Sequence, residues 1–138
     1  MREKRIEIRW RDQDAYGHVN NAVYLTYIEE VRDAWITDLL GRDGDGDAWD
    51  YVTARVAIDF RRELTLEDVE VLARCSLIRI GSSSVTTREE LFTRAGELAA
   101  EAEVVLVARD RESGGSRPLT DRERNAFVQD LTPDAEPA

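Results

Sequence analysis

Ten consecutive residues, Asp12-Gln13-Asp14-Ala15-Tyr16-Gly17-His18-Val19-Asn20-Asn21, hold two carboxylates, the only histidine of the chain, a glycine and two asparagines. An alternating pattern ends just before them and a helical period begins just after. They therefore sit between a strand end and a helix start. A helix N-terminus carries about +0.5 charge and unpaired N–H groups. Those donors can hold a developing oxyanion. A carboxylate a few residues upstream can face the same electrophile as base or nucleophile. Together these parts are suited to acyl chemistry. Asp and Asn also crowd loops and caps for structural reasons, so composition alone leaves a plain capped loop open.

The flanking elements follow from hydrophobic periodicity. Arg5 to Arg11 alternates, with Ile6, Ile8 and Trp10 on one side, and reads as a half-buried strand. From Asn21 the period becomes helical: Tyr24, Ile28, Val31, Trp35 and Leu39 share a stripe that Tyr27 and Ala34 widen. Asn20 or Asn21 suits an N-cap and Gly41 a stop, which gives a helix of about 20 residues, roughly 30 Å long. Its first half, Ala22 to Ile28, is apolar nearly all round and calls for protein on several sides. Later segments read as strands: Val52 to Phe60, Val69 to Ile80 with a bulge near Leu77, Val85 to Arg94, and Leu98 to Ala108. Thr120 followed by Glu123 signals a short capped helix to Val128. Consecutive strands with short turns imply an antiparallel sheet beside one long helix, an α+β fold. One domain over 1–131 is expected, with 132–138 a polar, proline-bearing, disordered tail.

Bulk properties bound the chemistry. The 138 residues carry 19 basic and 29 acidic side chains, a net charge of −10. That argues against nucleic acid, which needs a basic face, and against anionic lipid. Cys75 is alone, so no intrachain disulfide forms, and a cytoplasmic location is expected. One His and one Cys cannot build a zinc site of paired ligands, so no metal is expected. No apolar run approaches membrane-spanning length. Met1 to Arg11 carries charges where a secretory signal needs an apolar stretch.

The run Trp10 to Trp35 contains Asp-x-Asp-x-x-Gly-His-Val-Asn-Asn-x-x-Tyr-Leu. It resembles the acyl-CoA thioesterases of the 4-hydroxybenzoyl-CoA thioesterase type, in the hotdog-fold superfamily. Ile58-Asp59-Phe60 leading into Leu66-Glu67-Asp68-Val69 looks like that family's next strand pair. Ile80 to Val85 and Gly96 to Ala99 continue its order, so the likeness spans about residues 4–120. It implies a curved antiparallel sheet of about five strands around a central helix, and homodimers or homotetramers with active sites at the subunit interface. It implies Asp14 as nucleophile or general base and the Asn21 backbone N–H as oxyanion donor. Gly17 would permit the tight turn, and His18 would orient water or thioester. No cofactor is implied beyond the coenzyme A of substrate and product.

Coenzyme A presents phosphates, which call for Arg and backbone donors at a cleft rim; Arg61, Arg62, Arg79 and Arg88 are candidates beside Ser82 to Ser84, with Asn20 and Tyr24 as further substrate-binding candidates. Ile80-Gly81-Ser82-Ser83 stands where the benzoyl-specific members carry a basic cluster. Asp12 reads as a loop brace, and Glu29 and Glu30 as surface or interface charges. Asp43, Asp45 and Asp47 fail as a calcium loop, because Ala48 and Ala54 occupy the positions that need Gly and Glu. Three rival readings remain: an acyl-carrier-protein thioesterase, a hotdog module that binds acyl-CoA without turnover, and a hydratase or dehydratase.

Overall fold

The computed structural model describes residues 1–41 and 49–132. The aspartates at 43, 45 and 47 lie outside these residues. In chain order the elements are β1 (Arg2–Glu7), a 3₁₀ turn (Trp10–Asp12), α1 (Asn21–Leu40), β2 (Tyr51–Phe60), a 3₁₀ turn (Leu66–Asp68), β3 (Glu70–Ile80), β4 (Ser84–Thr93), β5 (Leu98–Ala108) and α2 (Asp121–Asp130). The five strands form one sheet in the order β1-β3-β4-β5-β2, and every pairing is antiparallel. This is the helix-on-sheet arrangement of a hotdog fold.

The long helix begins and ends where capping chemistry places it. The Asn20 side chain accepts the Ala22 N–H at 2.8 Å, and Gly41 at φ 65° closes the last turn onto the Thr37 carbonyl. Tyr27, Ile28, Val31, Trp35 and Ile36 are buried on it. They share one core with Val71, Ala73 and Leu77 of β3, Leu91 of β4, and Ala102, Val104 and Leu106 of β5. At the far end α2 closes the core, with Phe127 stacked on Trp35 at 5.8 Å. The Thr120–Glu123 capping box forms as expected. The β3 bulge also forms, between Leu77 and Arg79. No helix among the described residues is long and apolar enough to cross a membrane.

Five expectations change. First, the strand expected over 5–11 stops at Glu7. Asp12 accepts the Arg9 N–H at 2.9 Å and winds Trp10–Asp12 into a 3₁₀ turn, which leaves Trp10 78% exposed. Second, the strand expected across Leu66 to Val69 is a 3₁₀ turn capped by Thr65, and Val69 leaves it at φ 68°. That conformation strains a β-branched residue. Third, the alternation expected to put Val52, Ala54, Val56, Ile58 and Phe60 on one face of β2 is broken by a register shift between Thr53 and Arg55. Thr53, Val56, Ile58 and Phe60 pair with Leu106, Val104, Ala102 and Ala100, the buried residues of β5, whereas Val52 lies on the other face. Fourth, β2 is an edge strand that α1 covers only in part, so Val56 and Phe60 stay 39% and 43% exposed. Fifth, Thr132 is tied down, its N–H bonded to the Leu77 carbonyl at 2.8 Å.

An ion pair stands inside the core, unanticipated by the apolar stripe. The Arg32 guanidinium on α1 grips Glu89 of β4 through Nε at 2.9 Å and Nη2 at 2.7 Å. Thr87 adds its hydroxyl to Glu89 at 2.8 Å, and Arg32 Nη1 reaches Thr53 at 3.4 Å. Burial opposes the Arg32 charge, but Glu89 outweighs it and keeps the guanidinium ionised. Removing one partner strands the other charge in the core. Glu89→Gln should therefore cost about 3–5 kcal/mol in urea unfolding. Joint replacement, Arg32→Met with Glu89→Leu, should cost less than either single change. A Glu89→Gln loss of under about 1 kcal/mol would show that water reaches the pair.

Candidate active site

The segment between the first 3₁₀ turn and α1 folds into a small hairpin. The Asn20 N–H bonds to the Asp12 carbonyl at 3.0 Å, Gln13 bridges Val19, and the Asp14 N–H bonds to the His18 carbonyl at 2.8 Å. The Gly17 N–H returns to the Asp14 carbonyl at 3.2 Å. Gly17 turns the chain at φ 82°, a left-handed conformation that favours glycine. The Val19 N–H anchors the hairpin to the Leu64 carbonyl at 2.7 Å. One short hydrogen-bonded unit thus carries both Asp14 and the first residue of α1.

The two carboxylates of the hairpin sit in different environments. Asp12 is 3% exposed. Its Oδ2 accepts the Tyr27 hydroxyl at 2.6 Å and the Arg9 N–H at 2.9 Å, and its Oδ1 lies 3.4 Å from the Arg9 guanidinium. Burial opposes its charge, but the Tyr27 and Arg9 donors outweigh burial and hold the carboxyl below the usual carboxylate range. Burial and the neighbouring Asp12 charge push the Tyr27 hydroxyl strongly up, so it stays a neutral donor. Asp14 is half-buried; its Oδ1 accepts the Tyr16 N–H at 2.9 Å, and Oδ2 has no partner among the described residues.

The helix end is open on one side. Asn20 satisfies the Ala22 N–H with its side chain and the Val23 N–H with its carbonyl. The Asn21 N–H has no acceptor among the described residues. An unfilled N–H at a helix N-terminus attracts a developing negative charge.

Around this centre the remaining candidates divide. Tyr24 is buried, its hydroxyl bonded to the Arg62 carbonyl at 2.9 Å and its ring set edge-on to Phe60 at 5.2 Å. Burial raises the Tyr24 hydroxyl too, so it remains a neutral clamp. His18 lies 3.3 Å from Glu63, both partly exposed. Arg62 meets Asp68 at 3.1 Å and Glu97 at 3.0 Å, and Arg61 meets Glu101 at 2.8 Å. The chain therefore brings Asn20, Tyr24, Arg61 and Arg62 to the Asp14 end of the molecule.

Ser82, Ser83 and Ser84 lie elsewhere. They turn β3 into β4 at the opposite end of the sheet, where the Ser82 and Ser83 carbonyls accept the Leu119 and Ala108 N–H groups. Beside α2, Arg122 reaches the carbonyl of Leu40, at the opposite end of α1 from Asn21 and about 30 Å away at 1.5 Å per residue. A cleft of about 530 Å³ opens there, lined by Leu40, Trp49, Arg109, Arg117 and Arg122, and it contains no residue of the Asp14 hairpin. The serines and the Asp14 hairpin thus stand at opposite ends of the sheet. Arg79 is engaged by Glu103 at 2.8 Å, and Arg88 lies in an acidic surface groove with Glu90 and Glu101. Glu30 lies 3.8 Å from Lys4 at the surface, and Glu29 is exposed.

Sequence reading missed Tyr27 and Arg9 as partners of the hairpin. A usable signal existed: Tyr27 falls on the buried stripe of α1, and a buried phenol needs an acceptor.

A helix over an antiparallel sheet, with a carboxylate loop folded against the helix start, describes the thioesterase class of hotdog proteins. The chain belongs to the thioesterase-like superfamily, whose family profile matches residues 8–132. It is 27% identical to the long-chain acyl-CoA thioesterase FadM of Escherichia coli, covering 92% of this chain and 97% of that one. Among solved structures it is similar to a Thermus thermophilus thioesterase complexed with coenzyme A and Zn, with 31% identity and a TM-score of 0.81 over 93% of this chain and 92% of the other. A predicted thioesterase from Bacillus stearothermophilus shares the fold at 23% identity and a TM-score of 0.85, over 96% and 98% of the two chains. The protein is thus a thioester hydrolase.

Proposed function

We propose that this chain hydrolyses an acyl-CoA thioester to the free carboxylic acid and CoA. The reading rests on one arrangement: a half-buried Asp14 and an unfilled Asn21 N–H carried by the same hydrogen-bonded hairpin. Asp14 accepts a proton from water as the water oxygen attacks the thioester carbonyl, or attacks that carbon itself and forms a mixed anhydride that water then opens. In either route the Asn21 N–H holds the oxyanion. Collapse breaks the C–S bond and expels the CoA thiolate, which takes up a proton. The names of the relatives, an acyl-CoA thioesterase and a thioesterase bound to coenzyme A, support CoA over a carrier protein.

A second copy of the chain completes the cleft in this reading. Val56 and Phe60 of the edge strand β2 and Leu25 of α1 are large apolar side chains that one chain leaves exposed. Light scattering should give a mass at least twice the 15.7 kDa of the chain.

Thiol release measured across short, medium, long and aromatic acyl-CoAs, with acyl-carrier-protein thioesters in parallel, tests the activity. Turnover of at least one acyl-CoA is expected. Turnover of carrier-protein thioesters alone would move the substrate class. Tight acyl-CoA binding without any turnover would leave a binding module.

A further inference from the structure

One buried bond closes the Asp14 hairpin into a ring. Tyr27 is wholly buried on α1, six residues or about 9 Å along the helix from Asn21. Its hydroxyl donates to Asp12 Oδ2 at 2.6 Å. The Asp12 carbonyl accepts the Asn20 N–H at 3.0 Å, and Asn20 caps α1 through the Ala22 N–H at 2.8 Å. The ring runs from Asp12 through Tyr27, back along the helix to Asn21 and Asn20, and returns to Asp12. Only one link in it joins side chain to side chain, the Tyr27–Asp12 bond.

We propose that Asp12 and Tyr27 are a positioning pair that sets Asp14, two residues further on, against the Asn21 N–H. This rests on the reading of Asp14 as the carboxylate that acts on the thioester. Asp12 does not exchange protons with substrate itself, because it is buried and both its oxygens face donors. Environment therefore divides the two carboxylates into a fixed anchor and an accessible reagent. Without the Tyr27 hydroxyl, Asp12 keeps Arg9 but loses its side-chain tie to the helix, and only the main-chain bonds at Asn20 and Val19 hold the hairpin in place. Misplacing a reacting group by about 1 Å can cost about 100-fold in rate.

Steady-state kinetics of Tyr27→Phe, Asp12→Asn, the double variant and Asp14→Asn, on acyl-CoA well below each melting temperature, test the pair. Tyr27→Phe should lower kcat about tenfold and leave KM within about twofold, since only alignment is lost. The double variant should fall no further than about threefold below Asp12→Asn alone, because the two residues act as a unit. A Tyr27→Phe enzyme with a lowered melting temperature and the parent kcat overturns the proposal and leaves only a structural bond. A raised KM at unchanged kcat overturns it as well. Should Asp12→Asn fail to fold, Tyr27→Phe decides alone, since it deletes a single oxygen. An inactive Asp14→Asn beside a normal Tyr27→Phe rejects the pair only. A fully active Asp14→Asn rejects the reading of Asp14 on which the pair depends.

Discussion

Asp14→Asn is expected to lower kcat by about 10²–10⁴-fold while KM for acyl-CoA changes little. Asparagine is the informative replacement because it separates chemistry from architecture. Its amide oxygen can still accept the Tyr16 N–H that Asp14 Oδ1 accepts at 2.9 Å, and the Asp14 main-chain bonds to His18 and Gly17 are untouched. The hairpin is therefore retained while the group that accepts a proton or attacks the carbonyl is gone. The neighbouring carboxylate cannot substitute for it. Asp12 is buried, and its oxygens are committed to Tyr27 and Arg9. Activity within about tenfold of the parent would show that another group activates water, because a positioned base contributes at least about 10²-fold. Single turnover in ¹⁸O water detects one route directly: label in the Asp14 carboxylate marks a mixed anhydride that water opens at the aspartyl carbon, whereas a general base and an anhydride opened at the acyl carbon both put the label in the product acid.

What could be read from the sequence depended on how local its cause is. The bounds of α1 follow from Asn20 and Gly41, residues adjacent to the turns they close, and the structure starts and stops the helix at those places. The Thr120–Glu123 box and the β3 bulge are equally local. The Asp14 hairpin was legible for the same reason, since its glycine and asparagines lie within ten residues. Distant pairings escaped. Arg32 and Glu89 are 57 residues apart, and nothing in the α1 stripe signals that one buried position is a guanidinium. The phase of β2 depends on a one-residue register shift that its alternation hides. Ser82 to Ser84 follow the family's order of motifs yet stand at the other end of the sheet from the Asp14 hairpin. Strand order, which no local pattern states, decides that.

Asn21→Pro should lower kcat by about 10²–10³-fold, whereas Asn21→Ala should stay within about threefold of the parent. The contrast isolates a main-chain group that ordinary side-chain replacement cannot reach. Proline is tolerated at the first helical position, where its missing N–H has no partner within the helix. Asn21 occupies that position, and its N–H bonds to nothing among the described residues, so proline removes no native hydrogen bond. The residue before a proline must be extended, and Asn20 already is, at φ −62° and ψ 139°. The cap survives as well, since the Asn20 side chain bonds to Ala22 rather than to residue 21. Proline thus deletes one donor from the helix start and leaves fold, cap and most of the helix dipole in place. A circular dichroism spectrum and a melting temperature near the parent's are expected alongside the fall in rate. A stable, fully active Asn21→Pro enzyme would place the oxyanion elsewhere. A rate loss shared equally by Asn21→Ala would point to the side chain.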